Sequence, residues 1–193
     1  MKRTYGYQNH ASYTNDDDSH SYRNLDWIEK YFIPTVEAKY KQGGSILDIG
    51  CGNGRVWPIL GKYFDKIVGI DPFFEYNKIF KNEKVTFESI EFQDYTTLDK
   101  FDVLFFNQSF SVFFRSAFVI PNPTSDEIFK KIDELLKDDG EVHFIEWPMG
   151  DERNLVDFKD LEWKETLEKY NIYFDLEITP SPETSIIILK RKK

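Results

Sequence analysis

Three glycines and a preceding aspartate form the part of this sequence that is best suited to bind a ligand. Gly50, Gly52 and Gly54 alternate with other residues, and Asp48 stands two positions before the first of them. Glycine permits sharp turns and lets a ligand approach the backbone closely. A helix that follows such a loop offers unpaired amide groups to a polar ligand. We therefore expect this loop to hold a small polar molecule.

A second acidic residue, Asp71, follows Asp48 by 23 positions and ends the apolar stretch that starts at Lys66. In doubly wound folds, a carboxylate at the end of the second strand binds the hydroxyl groups of a ribose. A dinucleotide cofactor requires the pattern G-x-G-x-x-G, but position 55 is an arginine here. The spacing therefore argues against a pyrophosphate cofactor such as NAD, although the acid still indicates a nucleoside.

Apolar stretches and helical patterns alternate along the chain around this loop. A helical pattern over residues 25–40 contains Pro34, which predicts a kink or a break there. Thr124 or Ser125 caps a later helix, and Asp139-Gly140 ends it. The sequence predicts strands at 45–49, 66–71, 85–88, 101–106 and 141–145, and helices at 54–64, 73–80, 125–136 and 161–170. This alternation is typical of a parallel sheet with helices on both faces.

The last two predicted strands differ from the others. Residues 172–179 alternate between apolar and polar side chains, as on an edge strand with one wet face, whereas residues 186–189 are apolar throughout. The connection between them is too short for a crossover helix, so the two strands pair antiparallel. The predicted fold is a three-layer α/β/α, doubly wound, seven-stranded mixed sheet. Its last strand is inserted beside strand five, between strands five and six.

The chain is predicted to have two parts, an N-terminal leader with a helical cap at residues 1–44 and a cofactor-binding domain at residues 45–193. The leader is polar and rich in tyrosine, and it either folds over the cofactor as a lid or remains disordered. No internal repeat or low-complexity linker divides the remainder. We therefore expect one folded domain.

Composition and charge disfavour several classes of function. Acidic side chains outnumber Lys and Arg by 34 to 25, and the net charge of −9 disfavours binding to nucleic acid. The single cysteine, Cys51, permits no disulfide within the chain, and the three histidines are scattered, so we expect no metal. The N-terminus lacks a secretory signal, and no apolar run is long enough to cross a bilayer. We expect a cytoplasmic protein, monomeric or homodimeric, that does not bind membranes.

The pattern G-x-G-x-G after Asp48 closely resembles motif I of the class I S-adenosylmethionine-dependent methyltransferases, and the resemblance extends over about residues 45–193. The sheet of that family also has an antiparallel seventh strand beside the fifth. The resemblance implies that S-adenosylmethionine is the cofactor and S-adenosylhomocysteine the product. It implies a cofactor site formed by Asp48, Gly50, Cys51, Gly52, Gly54, Asp71, Pro72, Phe73, Glu91, Phe92 and Asn107.

The same resemblance implies a role for each part of that site. The glycine loop wraps the methionine portion of the cofactor, and Asp71 binds the ribose diol. Pro72 and Phe73 lie against the adenine. Glu91, or Asp94 as an alternative, pairs with the adenine amino group, and the neighbouring amide at Phe92 meets a ring nitrogen.

The predicted reaction is methyl transfer to a small-molecule acceptor, with Asn107, His143 and Trp147 as candidate catalytic residues. The sequence after the fourth strand reads Asn107-Gln108-Ser109-Phe110 and lacks the Asn-Pro-Pro-Tyr type of motif, which weakens a base-amino-group methylase. One alternative is a non-catalytic or partner-dependent binding module with the same fold. A nicotinamide oxidoreductase is a weaker alternative, because Arg55 takes the place of the third glycine in the dinucleotide-binding pattern.

Overall fold

The structure, a computed structural model, describes residues 25–40, 43–72, 83–110, 124–146, 161–170, 172–175 and 185–191. The strands are β1 (Ser45–Ile49), β2 (Lys66–Ile70), β3 (Val85–Glu88), β4 (Phe101–Asn107), β5 (Leu136–Glu146), β6 (Ile172–Asp175) and β7 (Ser185–Arg191). The helices are α1 (Ile33–Tyr40), α2 (Trp57–Leu60), α3 (Ser125–Leu135) and α4 (Leu161–Lys169), and a π-helical turn at Ile28–Phe32 precedes α1. The predicted helix at 73–80 lies outside the described residues.

All of these strands belong to one sheet, in the order β3-β2-β1-β4-β5-β7-β6. The pairs from β3 to β5 are parallel, whereas β7 runs antiparallel to both β5 and β6. The predicted α/β fold, with a mixed sheet and an antiparallel last strand beside strand five, is confirmed. Residues 186–189 are buried within the sheet, as their unbroken apolar run requires.

Helices cover both faces of the sheet, because successive side chains of a strand point to opposite faces. On β4, Leu104 and Phe106 belong to the core that contains the buried side chains of α3. Their neighbours Val103 and Phe105 belong to the second core, with α1 and α2. The three-layer arrangement follows directly from this alternation.

The N-terminal helical segment passes Pro34 without a break. The N–H of Ile33 bonds the carbonyl of Ile28, five residues back, in the π-helical turn directly before the proline. Proline has no N–H to donate, so the helix cannot keep regular bonding at this point. The segment buries Phe32 against Phe105, with the ring centroids 4.4 Å apart. It thereby covers the centre of the sheet on one face.

Two predicted helices are shorter than expected. The helix after the glycine loop covers only Trp57–Leu60, because the loop keeps a left-handed backbone as far as Gly54 and turns follow from Gly61. Helix α3 ends at Leu135, before the predicted Asp139-Gly140 stop. Leu136 is already extended and pairs with Phe101, so β5 begins five positions earlier than the predicted start at residue 141.

Candidate functional site

The candidate site lies at the edge of the sheet where the parallel strands end. The strand order reverses between β1 and β4, and doubly wound folds bind ligands outside the carboxyl ends of the strands at that point. The loop after β1 and the residues at the ends of β2, β4 and β5 all meet this edge. It therefore brings together most of the predicted site residues that the structure describes.

The glycine loop has a backbone that only glycine adopts easily. Gly50, Gly52 and Gly54 have φ angles of 71°, 56° and 71°, in the left-handed region. The amides of Gly50 and Cys51 donate to the carbonyl of Ile70, at 2.9 and 3.2 Å, which ties the loop to the end of β2. The three alternating glycines therefore form a tightly constrained turn, as the sequence predicts.

Asp71 and the glycine loop are in direct contact. The N–H of Gly52 donates to Oδ2 of Asp71 over 3.1 Å, and the side chain of Asp71 is 7% exposed. This bond orients the carboxylate at the carboxyl end of β2, which is the predicted position of the ribose-binding acid. A carboxylate has two oxygens and about four acceptor positions, and the Gly52 bond uses one of them.

Asp48 lies beneath the loop and is 1% exposed. Its Oδ2 accepts a hydrogen bond from Nε1 of Trp57 over 2.9 Å. Burial raises the pKa of Asp48 to about 7; the Trp57 bond opposes this shift, and the charge of Asp71 adds to it. The Asp48 carboxylate is therefore held by a protein side chain, and its charge changes near neutral pH.

Cys51 belongs to the loop and packs against the second core. Burial, together with the nearby charges of Asp48 and Asp71, raises the pKa of the Cys51 thiol well above its usual value. A thiol in this state is a weak nucleophile because it remains protonated at neutral pH. Cys51 can therefore contribute shape to the loop but not a reactive thiolate.

A second loop, after β4, approaches the glycine loop from the other side. Oγ of Ser109 donates to the carbonyl of Ile49 over 2.5 Å, and a Cβ on Gly50 would lie 2.5 Å from the Cβ of Ser109. Gln108 has a φ of 54° and donates its amide to the carbonyl of Ile145. The strand ends of β1, β4 and β5 are thus connected through residues 108–109.

Glu146 is a buried acid at the end of β5 that is not among the site residues predicted from the sequence. Its side chain is fully buried, and its Oε1 accepts a hydrogen bond from the amide of Phe110 over 2.8 Å. The signal was present, because an acid that ends an apolar strand was the same feature that identified Asp71. Ser109 carried no such signal, because its partner is a backbone carbonyl 60 positions away.

Asn107, at the end of β4, has a buried acceptor. Its Oδ1 makes no hydrogen bond within the part of the chain that the structure describes. Buried polar atoms are nearly always satisfied, so an open acceptor at a ligand-binding edge is suited to a donor on a bound molecule. This observation fits the polar cofactor that the sequence predicts.

The residues predicted to surround the adenine lie in different environments. Phe92 is 3% exposed, and its ring packs edge-on against Phe106, so the ring belongs to the core and only its backbone is suited to ligand contact. Glu91 is half-buried and its carbonyl accepts the amides of Asp94 and Tyr95, which forms a turn. Pro72 is exposed. Phe73 and Trp147 lie outside the described residues.

His143 is placed apart from the carboxyl edge. It is fully buried three positions before the end of β5, and its ring meets Phe32 edge-on with centroids 5.2 Å apart. Its Nε2 lies 3.1 Å from Oε2 of Glu141. Burial lowers the pKa of His143, although Glu141 raises it. This geometry is that of a structural histidine under the N-terminal helix.

A doubly wound sheet with a glycine loop and an acid at the end of β2 defines a nucleoside-binding class of α/β protein. The chain belongs to a family described as methyltransferase domain, whose model matches residues 18–174. No curated protein sequence matches this chain. Within the described ranges, no helix combines the length and apolar character needed to cross a membrane.

Solved structures with the same fold are similar over nearly the whole chain. A protein from Sulfolobus solfataricus described as a type 11 methyltransferase is 22% identical, with a TM-score of 0.59 over 86% of this chain and 92% of its own. DhpI, solved as a complex with SAH, is 13% identical, with a TM-score of 0.65 over 94% and 90%. The plantazolicin methyltransferase BpumL, in complex with a pentazolic desmethylPZN analog and SAH, is 16% identical, with a TM-score of 0.59 over 94% and 90%.

Proposed function

We propose that this protein transfers a methyl group from S-adenosylmethionine to a small-molecule acceptor. The observation that carries the proposal is the bond between Gly52 and Asp71, which joins the glycine loop to the acid at the end of β2. Membership of the methyltransferase domain family supports the reaction. The complexes of DhpI and BpumL with SAH, the demethylated product, support the cofactor.

In this proposal the loop and Asp71 bind different parts of the cofactor. The left-handed backbone of the glycine loop lies against the methionine portion, and the Asp71 carboxylate accepts hydrogen bonds from the ribose diol. Glu91 or Asp94 accepts from the adenine amino group, and the amide of Phe92 donates to the ring. Asp48 and Cys51 shape the loop from below, and Pro72 and Phe73 border the adenine.

When bound, S-adenosylmethionine supplies an electrophilic methyl group on a positively charged sulfur. The protein's part is to hold donor and acceptor in line, and alignment alone lowers such a barrier by several kcal/mol. Asn107 is the candidate catalytic residue that the geometry favours, because its Oδ1 is a buried acceptor at the end of β4 with no hydrogen bond to a described residue. His143 is buried away from this edge, and Trp147 remains a sequence prediction.

The acceptor in this proposal is a small molecule rather than nucleic acid. A net charge of −9 opposes a phosphate backbone. BpumL, which has the same fold, was solved with a pentazolic desmethylPZN analog, and this supports an organic acceptor. A cytoplasmic location and a monomeric or homodimeric state remain part of the proposal.

Calorimetric titration with S-adenosylmethionine, S-adenosylhomocysteine and NAD tests the proposal. We expect micromolar binding of the first two and none of NAD. Asp71→Ala is expected to weaken both by at least about tenfold, or about 1.4 kcal/mol. Asp99→Ala is the matched control, because it removes a surface carboxylate that pairs with Lys66 and leaves the site intact.

Two results would count against the proposal. Equal cofactor affinity in Asp71→Ala and the parent protein would mean that Asp71 does not bind the cofactor. Tight binding without turnover on any acceptor of a broad small-molecule screen would favour the non-catalytic binding module instead.

A further inference from the structure

Trp57, the first residue of α2, occupies space that two glycines leave open. Its side chain is fully buried. A Cβ on Gly54 would overlap the ring, with Cδ2 only 2.6 Å away, and a Cβ on Gly69 would overlap it from β2, with Cε2 3.1 Å away. The indole is therefore fitted between the end of the glycine loop and the second strand. These two glycines are required by a protein side chain.

The indole also reaches the start of the loop. Nε1 of Trp57 donates to Asp48 over 2.9 Å, two positions before Gly50. The Trp57 amide donates to the carbonyl of Gly54 over 3.0 Å. Trp57 thus contacts Asp48, which precedes the three glycines, and Gly54, which is the last of them. Because its side chain has no exposed surface, Trp57 does not itself touch a ligand at the sheet edge.

The bond to Asp48 matters because this carboxylate is buried. A buried carboxylate that loses its hydrogen-bond donor bears a large desolvation cost, which it relieves by moving toward solvent or by taking up a proton. Movement would displace the loop at Gly50, and protonation would remove a negative charge beneath it. Among the described residues, the charge of Asp71 at the end of β2 raises the pKa of Asp48, and Asp48 in turn raises the pKa of the Cys51 thiol in the loop.

We propose that Trp57 is a positioning residue for the cofactor, which fixes the glycine loop and the Asp48 carboxylate in the binding arrangement without contacting the ligand. This inference rests on the proposed function, because the loop is taken to bind S-adenosylmethionine. It assigns part of the glycine pattern to the indole: Gly54 and Gly69 make room for Trp57, and Trp57 in turn holds both ends of the loop.

The test compares Trp57→Phe with Trp27→Phe, a matched change at another buried tryptophan of the same core. We expect Trp57→Phe to weaken binding of S-adenosylmethionine and S-adenosylhomocysteine by about tenfold in calorimetry, which corresponds to about 1.4 kcal/mol. Trp27→Phe should bind both ligands within about twofold of the parent. Equal weakening in the two variants would mean a general loss of stability and would overturn the proposal.

A second substitution separates the effect of the hydrogen bond from the effect of packing. It also tests the proposal if Trp57→Phe does not fold. Benzothienylalanine at position 57 keeps the shape of the indole but has sulfur in place of the N–H donor. The carboxylate then loses its donor, which raises the pKa of Asp48 further. We expect the affinity for the cationic S-adenosylmethionine to reach its plateau at higher pH than in the parent. S-Adenosylhomocysteine, whose sulfur is uncharged, should show a smaller shift of its pH profile.

The outcomes distinguish this inference from the proposed function. A parent protein that binds neither ligand refutes the proposed function, and the inference with it. A parent that binds both, together with a benzothienylalanine variant whose affinities and pH profile match the parent, refutes the positioning role alone. Weakened binding with the displaced pH profile, while Trp27→Phe remains normal, supports it.

Discussion

Substitution of Gly54 by alanine is the sharpest test of the packing around the glycine loop. The backbone of Gly54 has a φ of 71°, and a side chain in the left-handed region costs about 1–2 kcal/mol. The new Cβ would also overlap the ring of Trp57, which is fully buried and cannot turn into solvent. Overpacking of this kind costs about 1–3 kcal/mol. We therefore expect Gly54→Ala to destabilise the fold by about 2–5 kcal/mol.

Gly43→Ala supplies a control that also places a side chain on a residue with positive φ. Gly43 has a φ of 106°, but the atoms nearest a new Cβ belong to the Asp65 carboxylate, whose side chain is 71% exposed and can move away. We expect this variant to lose only the stability that corresponds to the backbone strain, about 1–2 kcal/mol. The difference between the two variants measures the overlap with the indole.

A double-mutant cycle with Trp57→Phe identifies the partner. Phenylalanine lacks part of the fused ring system that the Cβ of residue 54 would meet, so the overlap is reduced. The coupling between the two changes should be about 1–3 kcal/mol in urea unfolding followed by circular dichroism. The reasoning fails if Gly54→Ala costs no more than Gly43→Ala, or if the costs of Gly54→Ala and Trp57→Phe simply add.

Two further predictions concern stability away from the loop. Thr124 and Glu127 form a reciprocal capping box at the start of α3, so Thr124→Ala should cost about 1 kcal/mol in urea unfolding while Thr124→Ser remains near the parent. Burial opposes ionisation of Glu141, but bonds with His143 and Lys39 lower its pKa from 4.5 to about 2. The Glu141 carboxylate therefore stabilises the fold above pH 4.5, and this contribution is lost as pH falls toward 2. Glu141→Gln should cost about 1–2 kcal/mol at neutral pH, and a stability gap that persists unchanged in acid would contradict this account.

The sheet was predictable because its signals are local. Each buried strand is an apolar run, and the change from alternation at residues 172–179 to the continuous run at 186–189 indicated both the pairing and the position of β7. Helix ends were less predictable. Leu136 leaves the helix because it pairs with Phe101, a partner that lies 35 positions away and that no local pattern reveals.

The loop glycines and Asp71 were predictable, because glycines that follow a strand at this spacing indicate a turn and an acid that ends a strand indicates a position at the edge of the sheet. The contacts that hold these residues were not. The bond from Trp57 to Asp48 depends on how the indole lies beneath the loop, and the bond from Ser109 to Ile49 joins segments 60 positions apart. Such pairs depend on tertiary packing rather than on periodicity.

The position of β7 has a consequence for synthesis of the chain on the ribosome. β6 is made first, yet in the sheet it pairs with β7 and is separated by it from β5. While β7 is still being translated, β6 has no place in the sheet and the edge of β5 remains open. Unpaired edges of this kind favour association with other chains. The nascent protein is therefore exposed to misassembly in the interval before residues 185–191 emerge.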